Sequence, residues 1–277
     1  MREFDHRQLA ADLYPAVMEA GRLEMQHFSG GVAVETKADK SPVTVADREA
    51  EVILVAALQR LAPETPVVAE EAAAAGYIPP RADRFFLVDA LDGTRLFIRG
   101  KPEFSVNIAL IENGKPVFGL IYIPPTGDLF VTVADGASAR AHAPCAEVDV
   151  IAFGNLSFAP LKTRHPDPAN LTAFNSRTAG SAGASLLAAL NVRHATPVGS
   201  SLKFCLIAAG EGDIYARLGE TSEWDTAAGQ AILEAAGGTV TTLDGLPLTY
   251  GKAANVYRNP HFVAWGRTPM MVPDSKH

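Results

Sequence analysis

The chain is 277 residues long and 48% hydrophobic, enough apolar material for one large core or two moderate ones, so an ordered globular protein is expected. With 24 Lys and Arg against 31 Asp and Glu, its formal net charge is −7. Such a field repels nucleic-acid backbones and anionic membranes, and a phosphate-bearing ligand must then be held by local devices such as metal ions, helix N-termini or a few basic side chains. No run approaches the roughly 18 apolar residues of a membrane span. Asp5, Asp12 and Glu19 interrupt the first segment where a signal peptide needs an uncharged stretch. Two distant cysteines, Cys145 and Cys205, lack metal-ligand spacing and fit a reduced cytoplasmic protein, although counting alone leaves a disulfide open.

Leu9, Leu13, Ala16, Ala20 and Leu23 recur at helical spacing and predict an amphipathic helix that stops near Ser29-Gly30-Gly31. A second helix is expected from about Val45 to Leu61, opened by Thr44 with Asp47 three residues later and ended by Pro63. A short apolar strand, Val67-Val68-Ala69, leads to Glu70, Glu71 and an Ala- and Pro-rich loop through Pro80. The apolar run Phe85-Phe86-Leu87-Val88 enters a Gly-terminated turn that carries Asp89 and Asp92. Ser105 to Ile111, Val117 to Ile123 and Leu129 to Val133, separated by Asn113-Gly114 and Pro124-Pro125, read as an antiparallel meander. Residues 134 to 171 have no clear periodicity, and the junction between an N-terminal α+β subdomain (1–150) and a C-terminal α/β subdomain (151–277) is placed there. Beyond it the pattern alternates: a strand near Leu171 to Phe174, a helix near Ala182 to Leu190, a helix opening at Gly199-Ser200-Ser201, a strand at Asp213 to Arg217 and a helix from Asp225 to Ala236. This is α/β layering, without an internal repeat.

Taken alone, Asp89 and Asp92 are what a solvated turn carries, because Asp is a common turn residue and Gly93 supplies backbone freedom. Glu70 and Glu71 at a strand end, Asp225 after Trp224 and Asp47 at a helix start each have an equally plain explanation, since carboxylates are favourable near helix N-termini. Together they place four or five carboxylates at the ends of elements, the oxygen-rich supply that hard cations such as Mg²⁺ take up. A calcium loop fails on spacing: with Asp89 as position one, Gly100 stands where a bidentate Glu is needed. No P-loop motif occurs.

The segments KADKSPVTVAD (37–47), VVAEE (67–71), VDALDGT (88–94), EFSVNIALIENGKPVFGLIYIP (103–124), VGSSLKFCLIAAGEGDIYARLG (198–219) and EWDTAAG (223–229) resemble the inositol monophosphatase superfamily. Within it they are most similar to the bacterial 3′(2′),5′-bisphosphate nucleotidase branch. The resemblance spans nearly the whole chain in order, with residues 134 to 171 unmatched. It implies the layered αβαβα sandwich of that superfamily, with the site between the two halves. It also implies two or three Mg²⁺ ions held by Glu70, Asp89, Asp92, the Leu91 carbonyl and Asp225, and a water oriented by Thr94 with Asp47. Like charges so clustered are tolerable only around a cation. The phosphate would be met by Gly93 and Thr94 and by Gly199, Ser200 and Ser201 at the start of a helix.

Arg217, in YARLG, stands where inositol monophosphatases carry a Glu, and an Arg fork suits a second phosphate that a Glu would repel. Arg177 in NSRT and Lys203 in SSLKF would add positive charge. Each has a plainer reading, as a solvated Arg, a capping Lys or an ordinary Ser N-cap. The sequence departs from the branch at Ala90, usually Pro, and at Arg95-Leu96, usually Lys-Glu. The resemblance implies Mg²⁺-dependent removal of the 3′-phosphate of 3′-phosphoadenosine 5′-phosphate, linked to sulfur assimilation and sensitive to Li⁺ and Ca²⁺. The expected partner is a small nucleotide and not nucleic acid, with monomer and homodimer both open. An inositol or sugar monophosphatase is the alternative within this chemistry. A non-catalytic, metal-dependent nucleotide-binding regulator is the alternative outside it.

Overall fold

The computed structural model describes residues 4–31, 34–36, 42–145, 151–177, 181–192, 194–252, 256–267 and 269–270. Residues 37–41 of the first resembling segment and 146–150 of the expected junction lie outside them. In the first half, α1 (His6–Gly30) is followed by a two-stranded ribbon of β1 (Val34–Thr36) and β2 (Pro42–Thr44), then by α2 (Val45–Leu61). Next come β3 (Val67–Ala69), α3 (Glu70–Ala74), β4 (Arg84–Asp92), α4 (Thr94–Ile98), β5 (Ser105–Glu112), β6 (Lys115–Ile123), β7 (Asp128–Ala134), β8 (Ala137–His142) and β9 (Ala159–Pro160). These strands, β3 to β9, form one seven-stranded sheet in sequence order, antiparallel except where β3 runs parallel to β4. The second half supplies β10 (Thr172–Ser176), α5 (Ser181–Ala189), β11 (His194–Val198), α6 (Leu202–Ala208), β12 (Ile214–Arg217), α7 (Ala227–Ala235), β13 (Thr239–Thr242) and β14 (Phe262–Trp265). Its sheet has the order β11-β10-β12-β14-β13.

The layers follow from side-chain alternation, because successive strand residues point to opposite faces. Phe86, Val88, Val106, Ile108, Leu110, Phe118, Leu120 and Tyr122 face α1 and α2, meeting Leu9, Leu13, Val17, Leu54 and Leu58. Their neighbours Phe85, Leu87, Ala109, Ile111, Ile121 and Ile123 face the other way, onto Phe204 and Ile207 of α6 and Ile232 and Leu233 of α7. The second sheet repeats the pattern: Tyr215, Phe262 and Ala264 close that middle layer from below, while Ile214, Ala216, Val263 and Trp265 turn to Leu186 and Leu187 of α5. The order is therefore helix, sheet, helix, sheet, helix, the expected sandwich. A Cβ on Gly119 of β6 would lie 2.3 Å from the Ala228 carbonyl oxygen, so α7 rests directly on the first sheet and carries Asp225 to its edge. No helix among the described residues is long and apolar enough to cross a membrane.

Two local expectations change. The segment after Val67-Val68-Ala69 does not enter a loop at once, since Glu70–Ala74 forms a short helix, as its run of strong helix formers favours. The meander also continues one hairpin further, into β8, where periodicity was invisible. There the buried positions Ser138, Ala139 and Ala141 are small and weakly apolar, and hydropathy does not alternate.

Candidate functional site

Strand β4 runs through both Asp89 and Asp92, where a turn was expected. Asp89 pairs with Asn107 and Asp92 with Ser105 across a register irregularity, and the Leu91 N–H donates to Asp89 Oδ1 at 3.0 Å. Such a bulge re-aims side chains at a sheet edge. Gly93 follows with φ +103°, and a Cβ there would lie 2.8 Å from the Glu103 carbonyl oxygen, so only glycine both adopts the conformation and clears the chain at Glu103-Phe104, just before β5. Parallel pairing of Ala69 with Val88 brings Glu70 to the same end of the sheet. Asp225 arrives from the opposite half, at the end of the one-turn 3₁₀ helix Glu223–Asp225, with its Oδ2 accepting from Ser222 N–H at 2.8 Å.

One carboxylate oxygen from each of Glu70, Asp89 and Asp225 lies within 4.8 Å of the others. Asp89 is buried, and its carboxyl is held well above the usual range by burial first, then by the charges of Glu70, Asp92, Asp225 and Asp47. Asp225 is raised in the same way, by burial and then by Asp92 and Glu70. Three hard oxygen donors at this spacing, with the surroundings of Asp89 and Asp225 opposing ionisation, fit a divalent cation, because the cation restores the charged form. Leu91, Asp92, Gly93 and Thr94 line the same cavity, about 580 Å³ in volume.

Asp47 divides its carboxylate. Oδ2 accepts from the Thr44 N–H at 2.7 Å, the reciprocal half of the capping box that starts α2, while Oδ1 accepts the Thr94 hydroxyl at 2.8 Å. The helix-cap role and the meeting with Thr94 coexist in one side chain. Both Asp47 oxygens are thereby fixed.

The serine and basic residues singled out in the second half have specific partners. Ser201 is buried and lies 2.9 Å from Asp92 Oδ2 and 2.8 Å from the Asp225 carbonyl, while accepting from Asn107 Nδ2 at 2.9 Å. Ser105 in turn donates to Asn107 Oδ1 at 3.0 Å, so a buried polar chain connects β5 to Asp92. Arg177 makes a bidentate pair with Glu103, both contacts 2.6 Å, and the Gly199 N–H donates to the same Glu103 at 2.8 Å. Lys203 is buried, its ammonium donates to the carbonyls of Ser200 and Val198, and burial lowers its pKa to about 8. That ammonium helps hold Ser200, whose φ is +45°, in its left-handed conformation. Arg217 Nη2 donates to the Glu220 carbonyl at 2.9 Å, while its buried Nε has no partner.

Glu103 and Asn107 were not distinguished by sequence reasoning, because their partners are 74 and 94 residues away, and Ser105 was not because its task is to orient Asn107. Glu24 left a readable signal: it falls on the same helical stripe as Leu13, Val17 and Ala20, where a charge is out of place. Glu24 is fully buried, neither oxygen has a hydrogen-bond partner, and burial, then the charge of Asp47, keep its carboxyl well above the ordinary value. The unfolded chain releases this proton near the ordinary carboxyl value of 4.5, whereas the folded protein retains it well beyond. The pH-dependent cost of Glu24 is therefore absent below that pH and grows as pH rises toward the folded value, at about 1.4 kcal/mol per pH unit crossed. Glu24→Met, similar in volume and without oxygens, is expected to melt higher than wild type by a margin that widens with pH. Thermal melts at a series of pH values check this, and a constant margin would show that Glu24 does not titrate on unfolding.

The sequence matches the inositol monophosphatase family over residues 5–270. A similar protein is the 3′(2′),5′-bisphosphate nucleotidase CysQ of Escherichia coli strain K12, 36% identical over 245 residues, which are 88% of this chain and 94% of that one. Among solved structures, CysQ from Bacteroides thetaiotaomicron is 31% identical with a TM-score of 0.73, over 95% of this chain and 98% of that one. An inositol monophosphatase from Zymomonas mobilis reaches the same TM-score at 25% identity, over 96% and 95% of the two chains. With the five-layer order, the acidic cluster and a match from one end of the fold to the other, the chain belongs to the inositol monophosphatase family.

Proposed function

We propose that this chain is a Mg²⁺-dependent 3′(2′),5′-bisphosphate nucleotidase that removes the 3′-phosphate of 3′-phosphoadenosine 5′-phosphate, giving AMP and phosphate. It would act in the cytoplasm and serve sulfur assimilation. The observation that carries the reading is the meeting of Glu70, Asp89 and Asp225 within 4.8 Å, in a fold that also joins Thr94 to Asp47. The nucleotidase name of the Escherichia coli and other CysQ relatives supports the branch. Arg217, with a buried unpartnered Nε in the cavity wall, supports a substrate richer in negative charge than an inositol monophosphate. On this reading residues 1–150 supply most of the ligands, and 151–277 supply Asp225 and the groups that select the substrate.

Glu70, Asp89, Asp92, Asp225 and the Leu91 carbonyl would hold two or three Mg²⁺ ions, whose chemistry when bound is to polarise phosphoryl oxygens, acidify water and neutralise a leaving oxygen. The protein's own groups position the reactants. The Thr94 hydroxyl reaches Asp47 Oδ1 at 2.8 Å and the Leu91 carbonyl at 3.1 Å, and with its one proton directed to the nearer carboxylate its oxygen lone pairs are free to accept from a water in the cavity. A proton leaving that water can pass to Thr94 Oγ as the Thr94 proton passes to Asp47 Oδ1, while Thr44 keeps the carboxylate from rotating. Ser201, fixed by Asn107, holds Asp92 in one orientation, the kind of support that preserves a ligand's geometry. As the water oxygen bonds to phosphorus, the phosphorus–ester oxygen bond breaks with its electron pair to the ester oxygen, which takes a proton from solvent in the cavity, and Asp47 afterwards returns its proton to solvent.

Phosphate release from 3′-phosphoadenosine 5′-phosphate and from inositol 1-phosphate tests the reading. The nucleotide should be preferred in kcat/KM, and Li⁺ or Ca²⁺ should inhibit. A preference for inositol 1-phosphate of about tenfold or more sinks the nucleotidase assignment. Nucleotide binding without any turnover on either substrate points instead to a regulator.

A further inference from the structure

Three basic residues of the cavity have no task in the reading above. Arg95 lies in α4, Arg99 caps its C-terminus and Lys101 follows two residues later, all exposed and all lining the cavity that contains Glu70, Asp89 and Asp225. None of the three has an acidic partner within ion-pair distance among the described residues. Arg217, with its unpartnered Nε, also lines the cavity, whereas two further cations there are committed. Arg177 is locked on Glu103, and the Lys203 ammonium is held by two carbonyls. Leu96, between the two arginines, reaches Gly199, where a Cβ would meet its Cδ1 at 2.5 Å, and so adds no charge. Glu103 is bound by Arg177 and also feels the charge of Lys101, without an ion pair between the two.

The cavity lining thus divides by sign, between the carboxylates at the ends of strands and helices and the cations of α4 and the residues just after it. In a chain of net charge −7 that division is not a by-product of composition. A substrate with one phosphate needs only the acidic side, where bound cations meet its anionic oxygens. We propose that Arg95, Arg99 and Lys101 form the subsite for the second phosphate of a bisphosphate substrate, the phosphate that is not cleaved. The proposal rests on the phosphatase reading of the acidic side. Arg side chains suit the task because their planar forks bind phosphate oxygens in pairs, and long basic side chains can reach inward from a rim while their stems cover apolar surface.

The test uses the full chain with Mg²⁺ and the triple variant Arg95→Gln, Arg99→Gln, Lys101→Gln. The substrates are 3′-phosphoadenosine 5′-phosphate and adenosine 3′-phosphate, which differ only by the second phosphate. Expected is a fall in kcat/KM of roughly tenfold to a hundredfold on the bisphosphate, carried by KM with kcat nearly kept, against a change below about threefold on the monophosphate. Arg95→Lys with Arg99→Lys should recover most of the loss, because charge is retained. Equal losses on both substrates, or an undiminished bisphosphate reaction, overturn the subsite. Should wild type prefer inositol phosphates, the nucleotidase reading fails separately. The same variants on inositol 1,4-bisphosphate and inositol 1-phosphate then judge the subsite by the same criteria.

Discussion

Asp89→Asn should lower kcat by about a thousandfold or more, while the metal-free protein melts higher than wild type. The two effects have one origin. Asp89 is buried and faces the charges of Glu70, Asp92, Asp225 and Asp47, so its ionised form is unfavourable unless a cation lies among them. An amide removes one negative charge at nearly constant shape and can still accept the Leu91 N–H. The folded protein without metal is thereby relieved of repulsion and desolvation. The same replacement takes away a hard anionic donor and weakens the hold on any divalent cation, and with it every interaction the cation makes in the transition state. Melting curves with and without Mg²⁺ and single-substrate kinetics on purified variant separate the contributions. Mg²⁺ should raise the melting temperature of wild type more than that of Asp89→Asn. A variant that retains full turnover, or that gains as much stability from Mg²⁺ as wild type does, removes Asp89 from the cation site.

The carboxylates could be picked out of the sequence because each marks a boundary: Glu70 follows a strand, Asp89 and Asp92 end another, Asp225 precedes a helix. Their convergence within 4.8 Å could not, because it depends on β3 lying parallel to β4 and on α7 pressing against Gly119. Helices with charged or polar caps and strands with large apolar residues were similarly legible. Strands built of small residues, such as β8, were not, since sheet pairing rather than side-chain burial holds them. The polar contacts of the second half were the least legible. Nothing near Arg177 announces Glu103, 74 residues before it, and nothing near Ser201 announces Asn107, 94 residues away. The consequence is functional: sequence alone groups Arg177, Lys203 and Arg217 as free cations, while the fold ties Arg177 to Glu103 and Lys203 to two carbonyls and leaves Arg217 with a buried Nε that has no partner.

For Asp47 and Thr94 the expected result is a pair of single variants that are each severely impaired and a double variant that is little worse. Asp47→Asn and Thr94→Val should each reduce kcat by roughly a hundredfold to ten-thousandfold, the usual range for loss of a positioned proton acceptor. If a single relay carries the proton from water through Thr94 Oγ to Asp47 Oδ1, breaking either link breaks the whole, and the free-energy losses of the two variants cannot add. Asparagine is chosen at position 47 because its amide oxygen can still accept from Thr44 and preserve the start of α2, so a change in rate is not a change in folding. Valine is chosen at 94 because it keeps the β-branched shape and removes only the hydroxyl. Thr94→Ser, which restores the hydroxyl, should recover activity to within about tenfold of wild type. Multiplicative losses in the double variant would instead mean that the two side chains act on different steps, and the 2.8 Å contact between them would then be structural alone.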